Sequence, residues 1–544
     1  MARLHWHVDD LAARGYDQHL QEMTMCGIAG SWGNTDVKAV KSMMDDLVHR
    51  GPDDAGVCVQ QDQAAFGHRR LAIMDPESGA QPFQQDTRAL ISNGEIYNWK
   101  TLKAELEQGA LATGTNLEFR TTSDAEVAFH LLKQQGQQGV KELDGMFALA
   151  FAHNDDIVLA RDPIGIKPLY YVQADDALYF ASEMKALTRF NTPIDTLEPG
   201  TIYSSQQGKT RFYDVPFYCS DNAQDSELSA TTTNKPMLDN AQDAITAVRD
   251  SLEQAVVKRL MSDVPLGAFL SGGLDSSIIA AIATKHLGHL KTFSVGIEGS
   301  PDLAAAKYVA QYLGTEHHEY VFTADEVRAA FGEVIYALES FDQDLVRSVI
   351  PTHFTSRLAA EHVKVILTGE GADELFAGYT YYKNYTDMNA LQQELHRSIC
   401  NMHNVNLQRV DRITMLHSVE GRVPFLDTNV IDVAMRIPAA LKLRAHTQSG
   451  PKVEKWVLRK AFEDMLPENI VWRDKAQFDE GSGTTDMLAD IIAEETAKFD
   501  SHAFRQKRPE AALRSPEEAY YYSMFEYAFE APQLLLPNIG RWAQ

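Results

Sequence analysis

Cysteine is scarce in this chain: four residues in 544, Cys26, Cys58, Cys219 and Cys400, with no paired spacing of the zinc or dithiol type. That scatter excludes a disulfide scaffold and points to a reducing compartment, the cytosol. Long apolar runs are lacking as well. None approaches the ~20 residues of a membrane-spanning helix, and the opening MARLHWHVDDLAARGYD carries acids where a secretory signal has a basic end and an apolar core. Cations are outnumbered, 50 Lys and Arg against 76 Asp and Glu for a net charge of −26. They form no sustained stripe, so a surface that tracks nucleic-acid phosphates is excluded. Internal repeats are absent. What is present, 44% apolar and 23% charged residues over a length beyond one ordinary domain, is the composition of a globular chain with two large cores.

From Cys26 to residue 215, short apolar segments alternate with turn residues: CGIAGSWG, AAFGHRRLAIMD, RALISNGEIYN, MFALAFAHNDDIVLARD and LYYVQADDALYFAS. This spacing predicts strands, with helical patterns around Val37 to Leu47 and Asp124 to Gln135, and hence an α+β domain over 26–215. Residues 216–240, through CSDNAQDSELSATTTNKPMLDN, are polar and nearly free of large apolar side chains, and read as a linker. From 241 to 544 the rhythm becomes strand, tight turn, long helix: VPLGAFL into DSSIIAAIATKHL, KTFSVGI into LAAAKYVAQYLG, HVKVILTG into ADELFAGYTYY. That alternation predicts a parallel sheet wrapped by helices, with ligands at the carboxyl ends of its strands. After Leu391 the pattern is mostly helical.

Between the first of those strands and its helix stands SGGLDSS, Ser271 to Ser277. Two glycines admit a close backbone approach, hydroxyls flank them, and the N–H groups of a helix start face outward, a combination that suits a phosphate. The Gly-Lys-Ser/Thr ending of a Walker loop is missing. The loop instead resembles pyrophosphate loops, which serve enzymes that cleave ATP between the α- and β-phosphates, and on that resemblance Asp275 is a Mg²⁺ ligand. A second segment, LTGEGADELFAGY from Leu367 to Tyr379, ends a strand in glycine-rich backbone and gathers Glu370, Asp373 and Glu374. Acids at a helix start suit the helix dipole without any further role. The preceding Thr-Gly-Glu-Gly favours a site.

A cysteine on an apolar strand is ordinarily buried filler. Three segments give Cys26 company: HRGPDD with Arg50 on a turn, SNGEIYN with Asn93 and Gly94 after a strand, and TTSDAE with Asp124 at a helix start. In their order, C-G-I-x-G, R-G-P-D, N-G-E-I-Y-N and T-S-D-A-E resemble the class II glutamine amidotransferases, which are N-terminal-nucleophile hydrolases. With S-G-G-L-D-S-S, T-G-E-G-A-D-E and VEGRVPFLD behind them, the chain from Cys26 onward resembles the glutamine-hydrolysing asparagine synthetases. The resemblance implies an α+β hydrolase domain of stacked antiparallel sheets with helices, then an α/β pyrophosphate-loop ATP domain with a parallel sheet and a helical C-terminal part. It also implies glutamine hydrolysis at one site and, at the other, β-aspartyl-AMP made from aspartate and ATP and converted by ammonia to asparagine and AMP.

By the same resemblance the Cys26 thiolate attacks glutamine, Asn93 and Gly94 hold the oxyanion, Arg50 grips the α-carboxylate, and Asp124 with Glu95 receives the α-ammonium. The nucleotide falls to Phe269, Ser271, Gly272, Gly273, Asp275, Ser276, Val295, Thr368 and Gly369, Mg²⁺ to Asp275 and Asp373, and the adenylate to Glu370. The leaving pyrophosphate falls to a lysine of PKVEKWVLRK, Lys455 in preference to Lys452. RDPIGIKPLYY, ASEMKAL and WRDKAQF are expected at a domain interface and tunnel. The implied partners are glutamine, aspartate and ATP, without nucleic acid or membrane, and a homodimer is left open. A relative that builds β-lactams, or a protein that keeps the fold without the chemistry, is opposed by the intact Cys26, Arg50, Asn93 and Asp124 set.

One departure stands at the start. Chains of this family begin at the cysteine, because a terminal amine with a pKa of about 7.7 to 8.0 can take the thiol's proton. Residues Met1 to Met25 are therefore expected to come from an upstream start codon or to be a leader removed by processing. Met25, placed where an initiator would stand, favours the first.

Overall fold

A computed structural model describes residues 26–51, 53–114, 116–218, 235–445, 451–473 and 481–542. The expectations for residues 1–25, and for most of the linker, lie outside the described residues.

Two six-stranded antiparallel sheets form the first half. In one, strand Gly27–Trp32 lies between Ala64–Arg70 and Ala177–Ala181. In the other, Arg88–Ile96 lies between Phe83–Gln85 and Gly145–His153. The period of two sends Ile28, Phe66 and Phe180 of the first sheet and Ala89, Ile91, Ala148 and Ala150 of the second into a shared core. Helix Val37–Asp45 covers the far side of the first sheet with Val40, Met43 and Met44 against Ala29 and Ala65. The second sheet turns Leu90, Phe147 and Phe151 toward two helices, Trp99–Thr113 and Asp124–Gln135. The sequence pattern predicts only the latter. Trp99–Thr113 follows NGEIYN without a break and ends at Gly114, whose left-handed φ of +68° closes the helix.

Helix Ala241–Lys258 opens the second half, capped by the Asn240 side chain, which accepts the N–H groups of Gln242 and Asp243. Five parallel strands follow in the spatial order Glu316–Val321, Lys291–Gly296, Leu266–Phe269, Val365–Leu367, Glu420–Arg422. The chain builds outward from Leu266–Phe269 on one side, then returns to build on the other. Leu266–Phe269 and Val365–Leu367 therefore flank a topological switch point, where the loops leaving neighbouring strands diverge and open a crevice. The segment ADELFAGYTYY, expected as a long helix, is α-helical only over Ala372–Phe376, is broken by Ala377 at φ +57°, and resumes as a 3₁₀ turn at Thr380–Asn384. The reason is local: a Cβ at Gly378 would lie 2.0 Å from Asp373 Oδ1 and 2.2 Å from Lys455 Cε, so the chain turns there to make room for the site. From Met388 onward helices dominate, and Asn406–Leu416 packs on Gln343–Ala360. Among the described residues no helix is long and apolar enough to cross a membrane.

Candidate active sites

Cys26 stands immediately before strand Gly27–Trp32, beside the end of Ala64–Arg70. Its Sγ accepts the Leu71 N–H at 3.2 Å and lies 3.5 Å from the Leu71 carbonyl. Burial pushes the thiol up to about 12, and Glu420 and Glu95 add to the effect against the Leu71 N–H and Arg70. Both of its hydrogen-bond partners among the described residues are backbone atoms of Leu71, so no neighbouring side chain serves as its base.

Strand Arg88–Ile96 supplies the facing wall. Asn93 is fully buried, and among the described residues neither its amide nitrogen nor its oxygen has a hydrogen-bond partner. An orphaned amide of this kind costs about 1–3 kcal/mol, which a ligand can recover. Gly94 has φ +124°, and a Cβ there would meet the Met146 carbonyl at 1.9 Å, so only glycine fits. Asp124, at the start of its helix, accepts the Ile96 N–H at 2.6 Å. Burial raises Asp124 to about 6, and burial together with Asp124 and Glu420 holds Glu95 well above the ordinary carboxylate range. One Glu95 oxygen is without a hydrogen-bond partner. Glu95 has the Arg422 guanidinium at 3.5 Å, yet both buried carboxyls resist ionisation, so the pocket can take a further cation.

Arg50 does not face this pocket. Its Nη1 donates to Glu183 at 2.7 Å, its Nη2 to Asp411 at 2.8 Å, and its Nε to the Cys26 carbonyl at 3.2 Å. With its fork closed on those acceptors, Arg50 ties the chain near Cys26 to the second half and is not placed to grip a substrate carboxylate. Arg70 differs. It is buried at the end of its strand, donates only to the carbonyls of Met74, Asp75 and Pro76, and acts electrostatically on the Cys26 thiol. Among the described residues no carboxylate pairs with it within 4.0 Å, which makes it the cation available to an incoming α-carboxylate.

At the switch point of the parallel sheet lies a cavity of about 480 Å³. Its walls include Phe269, Ser271, Gly273, Asp275, Ser276, Val295, Thr368, Gly369, Glu370, Asp373 and Lys455. Gly272 is behind the wall: its φ of +71° makes the turn, and a Cβ there would strike Ala305 at 2.5 Å. The two loops touch, since a Cβ on Gly369 would come within 2.9 Å of the Asp275 Cβ. Lys455 Nζ sits 2.6 Å from Asp275 Oδ2 and 2.6 Å from Asp373 Oδ1, whereas Lys452 is exposed and among the described residues reaches only the Tyr385 carbonyl, at 3.5 Å. Geometry thus separates the two lysines in favour of Lys455. Glu370 is held by Arg409 Nη2 at 2.5 Å and Asn406 Nδ2 at 2.9 Å.

These two sites in one chain direct the comparison with known proteins. Residues 25–211 match the glutamine amidotransferase domain family, and residues 247–390 and 383–531 match the asparagine synthase family. Glutamine-hydrolyzing asparagine synthetase 2 of Oryza sativa subsp. japonica is 39% identical, over 94% of this chain and 88% of its own. Glutamine-hydrolyzing asparagine synthetase 3 of Arabidopsis thaliana is also 39% identical, over 93% and 88%. The chain belongs to the glutamine-hydrolysing asparagine synthetases. Among solved structures, the glutamine PRPP amidotransferase of B. subtilis aligns with 50% of this chain and 67% of its own at 21% identity, with a TM-score of 0.30.

Several residues of this synthetase chain carry no sequence signal. Asn406 and Arg409 lie on a helix without a motif, yet Asn406 Nδ2 bridges Glu370 and Glu374, at 2.9 and 2.6 Å. Tyr379 donates to Glu374 at 2.5 Å, and burial, with Glu370 and Asp373 nearby, raises Glu374 to about 8. At the contact between the halves, Lys167 of RDPIGIKPLYY lies 3.4 Å from Asp411 and 3.6 Å from Glu420. Glu183 of ASEMKAL holds Arg50, and Arg422 of VEGRVPFLD reaches Glu95 at 3.5 Å. Beside this ionic seam Cys26 packs in an apolar cluster with Leu71, Ile73, Leu266, Val365 and Met415. The glutamine side thus abuts the starts of the two strands whose far ends carry the cavity.

Proposed function

We propose that the protein makes asparagine from aspartate, drawing nitrogen from glutamine hydrolysed at Cys26 and splitting ATP to AMP and pyrophosphate. The observation that carries this reading is the orphaned Asn93 amide facing the Cys26 side of one domain, in a chain whose other domain holds a cavity with Lys455 between two acids.

When the Cys26 amine is free, it takes the thiol's proton, and the thiolate attacks the side-chain amide carbon of glutamine. The Asn93 amide and the Gly94 N–H receive the oxyanion, each donor contributing about 3 kcal/mol. Arg70 holds the α-carboxylate, and Asp124 with Glu95 holds the α-ammonium. The amine returns the proton to the leaving ammonia, and water then releases glutamate from the thioester. Ammonia leaves as a neutral molecule past the apolar cluster of Leu71, Ile73 and Val365, which offers no side chain to bind it.

In the cavity, a β-carboxylate oxygen of aspartate attacks the α-phosphorus of ATP, and pyrophosphate departs against Lys455. Asp275 and Asp373 fit Mg²⁺: two hard carboxylates converge on one point, one Asp275 oxygen is buried without a partner, and no third protein ligand joins them among the described residues. Such a site takes its remaining ligands from phosphate and water. Mg²⁺ bound there would offset charge on the pyrophosphate. Glu370, oriented by Arg409 and Asn406, faces the position where ammonia forms the C–N bond and AMP leaves. The scattered cysteines support a cytosolic setting.

One assay tests the reading: purified protein with ATP, Mg²⁺, aspartate and glutamine should yield asparagine, glutamate, AMP and pyrophosphate in equal amounts. ADP and phosphate as the stoichiometric products would overturn it.

A further inference from the structure

We infer that Lys455 is the resident cation of the Asp275–Asp373 pair and makes divalent-metal binding depend on bound nucleotide. The inference rests on the proposed assignment of those two acids as metal ligands.

Its ammonium is only 2% exposed and 2.6 Å from one oxygen of each acid, which is the space a shared metal ion would take. The backbone is shaped to put it there. Lys455 adopts a left-handed φ of +56°, its N–H is held by the Phe376 carbonyl at 3.1 Å, and the side chain passes over Gly378, where a Cβ would lie 2.2 Å from Lys455 Cε. A left-handed lysine crossing a glycine is an arrangement kept for a purpose. A divalent ion arriving alone must drive the ammonium off both carboxylates. The neighbouring acids in the cavity are already engaged, Glu370 by Arg409 and Asn406, and Asp302 by Arg473. The displaced ammonium would be left buried without a counter-charge, which is costly. A nucleotide changes that balance. Its β- and γ-phosphate oxygens give the ammonium a new partner and free Asp275 Oδ2 and Asp373 Oδ1 for the metal, so metal and nucleotide arrive together.

The test uses the full chain and Mn²⁺ as the probe, its binding read from the electron paramagnetic resonance of the free ion, with and without α,β-methylene-ATP. Wild-type protein should bind Mn²⁺ weakly alone and at least about tenfold more tightly with the analogue, a factor that one unit charge at close range readily supplies. Lys455→Met should bind Mn²⁺ without nucleotide about tenfold more tightly than wild type. A melting temperature equal to that of wild type shows that each variant is folded. Equal Mn²⁺ affinity of wild type with and without the analogue, or no gain in Lys455→Met, overturns the role of Lys455. Asp275→Asn binding Mn²⁺ as wild type does with the analogue would instead overturn the ligand assignment, and the inference with it.

Discussion

Around Cys26 the polar groups are buried and, among the described residues, left open: both amide atoms of Asn93, one oxygen of Glu95, and an Arg70 guanidinium that meets only carbonyls. In the cavity of the second half most charges close on one another, Lys455 on Asp275 and Asp373 and Glu370 on Arg409 and Asn406, with one Asp275 oxygen left without a partner among the described residues. The difference follows from what each site receives. Glutamine is a zwitterion with an amide, so a pocket short of one anion, one cation and one amide partner is completed by it. ATP brings several negative charges at once. A site for it would carry bare cations if its lysine and arginine had no internal partners, and internal ion pairs spare it that cost until the phosphates arrive. Rigid sheets sustain the open pocket; exchangeable ion pairs sustain the closed one.

The sharpest way to break the comparison is to remove chemistry from one side only. Cys26→Ala should lower glutamine-dependent asparagine formation by on the order of 10⁴-fold, as loss of a nucleophile does, and leave synthesis from ammonium chloride unchanged. A chain that keeps the peptide bond between Met25 and Cys26 should behave alike with glutamine, because an amide nitrogen cannot take the thiol's proton. Parallel assays with the two nitrogen sources check both, and an extended chain with full glutamine activity would require another base.

Glu370→Ala is the mirror experiment. It should lower asparagine formation by about 10²-fold with either nitrogen source, the scale of losing one charged group at a reacting centre, while glutamine is still hydrolysed. Glutamate release without asparagine is the signature. Normal synthesis in this variant would remove Glu370 from the reaction.

A smaller effect separates the two arginines. Arg70→Ala should raise KM for glutamine by about 30-fold or more, as truncating one partner of a buried charge pair does, and lower the melting temperature modestly through the hydrogen bonds lost to the Met74, Asp75 and Pro76 carbonyls. Arg50→Ala takes one cation from Glu183, which keeps His49, Lys185 and Arg412, and one from Asp411, which keeps Lys167; it should cost about 1–3 kcal/mol of stability, lowering both activities together. Thermal melts alongside glutaminase kinetics decide between them. A well-folded Arg50→Ala with a selectively raised KM would return the carboxylate to Arg50.

That pair also shows what was legible before the structure. Arg50 and Arg70 each follow a histidine or arginine in a short motif at the end of a turn or strand, HRG and HRRL. Which guanidinium stays available is decided by Glu183 and Asp411, 133 and 361 residues away along the chain, and no local pattern encodes that pairing. The phosphate loop was legible because backbone does the work there, and glycine is the only residue that allows it. The short strands of the first half and a parallel sheet with its site at the carboxyl ends followed from patterning; the strand order that makes the switch point did not. The helix Trp99–Thr113 and the early end of Ala372–Phe376 did not, the first hidden behind a motif and the second set by the space that Lys455 occupies. Asn406 and Arg409 sit on a helix whose text has no feature beyond helical period.

The smallest predicted effect concerns pH and probes the open pocket alone. Burial raises Asp124 to about 6, opposed by the N–H groups of Ile96 and Ala125. Only the ionised carboxylate attracts the α-ammonium of glutamine. Above about pH 7 the group is ionised and KM is flat; below about pH 6 the protonated fraction grows and KM rises toward about tenfold per pH unit. Glu95, raised by the same burial and by Asp124 itself, broadens the transition, since the two share one cation. Asp124→Asn removes the titrating charge, so its KM should be high throughout and nearly level across that range. Glutaminase kinetics from pH 5 to 8 in wild type and Asp124→Asn make the check. A wild-type KM that stays flat down to pH 5 would mean that the α-ammonium is held elsewhere, and the pocket would then lack the cation deficit that distinguishes it from the ATP cavity.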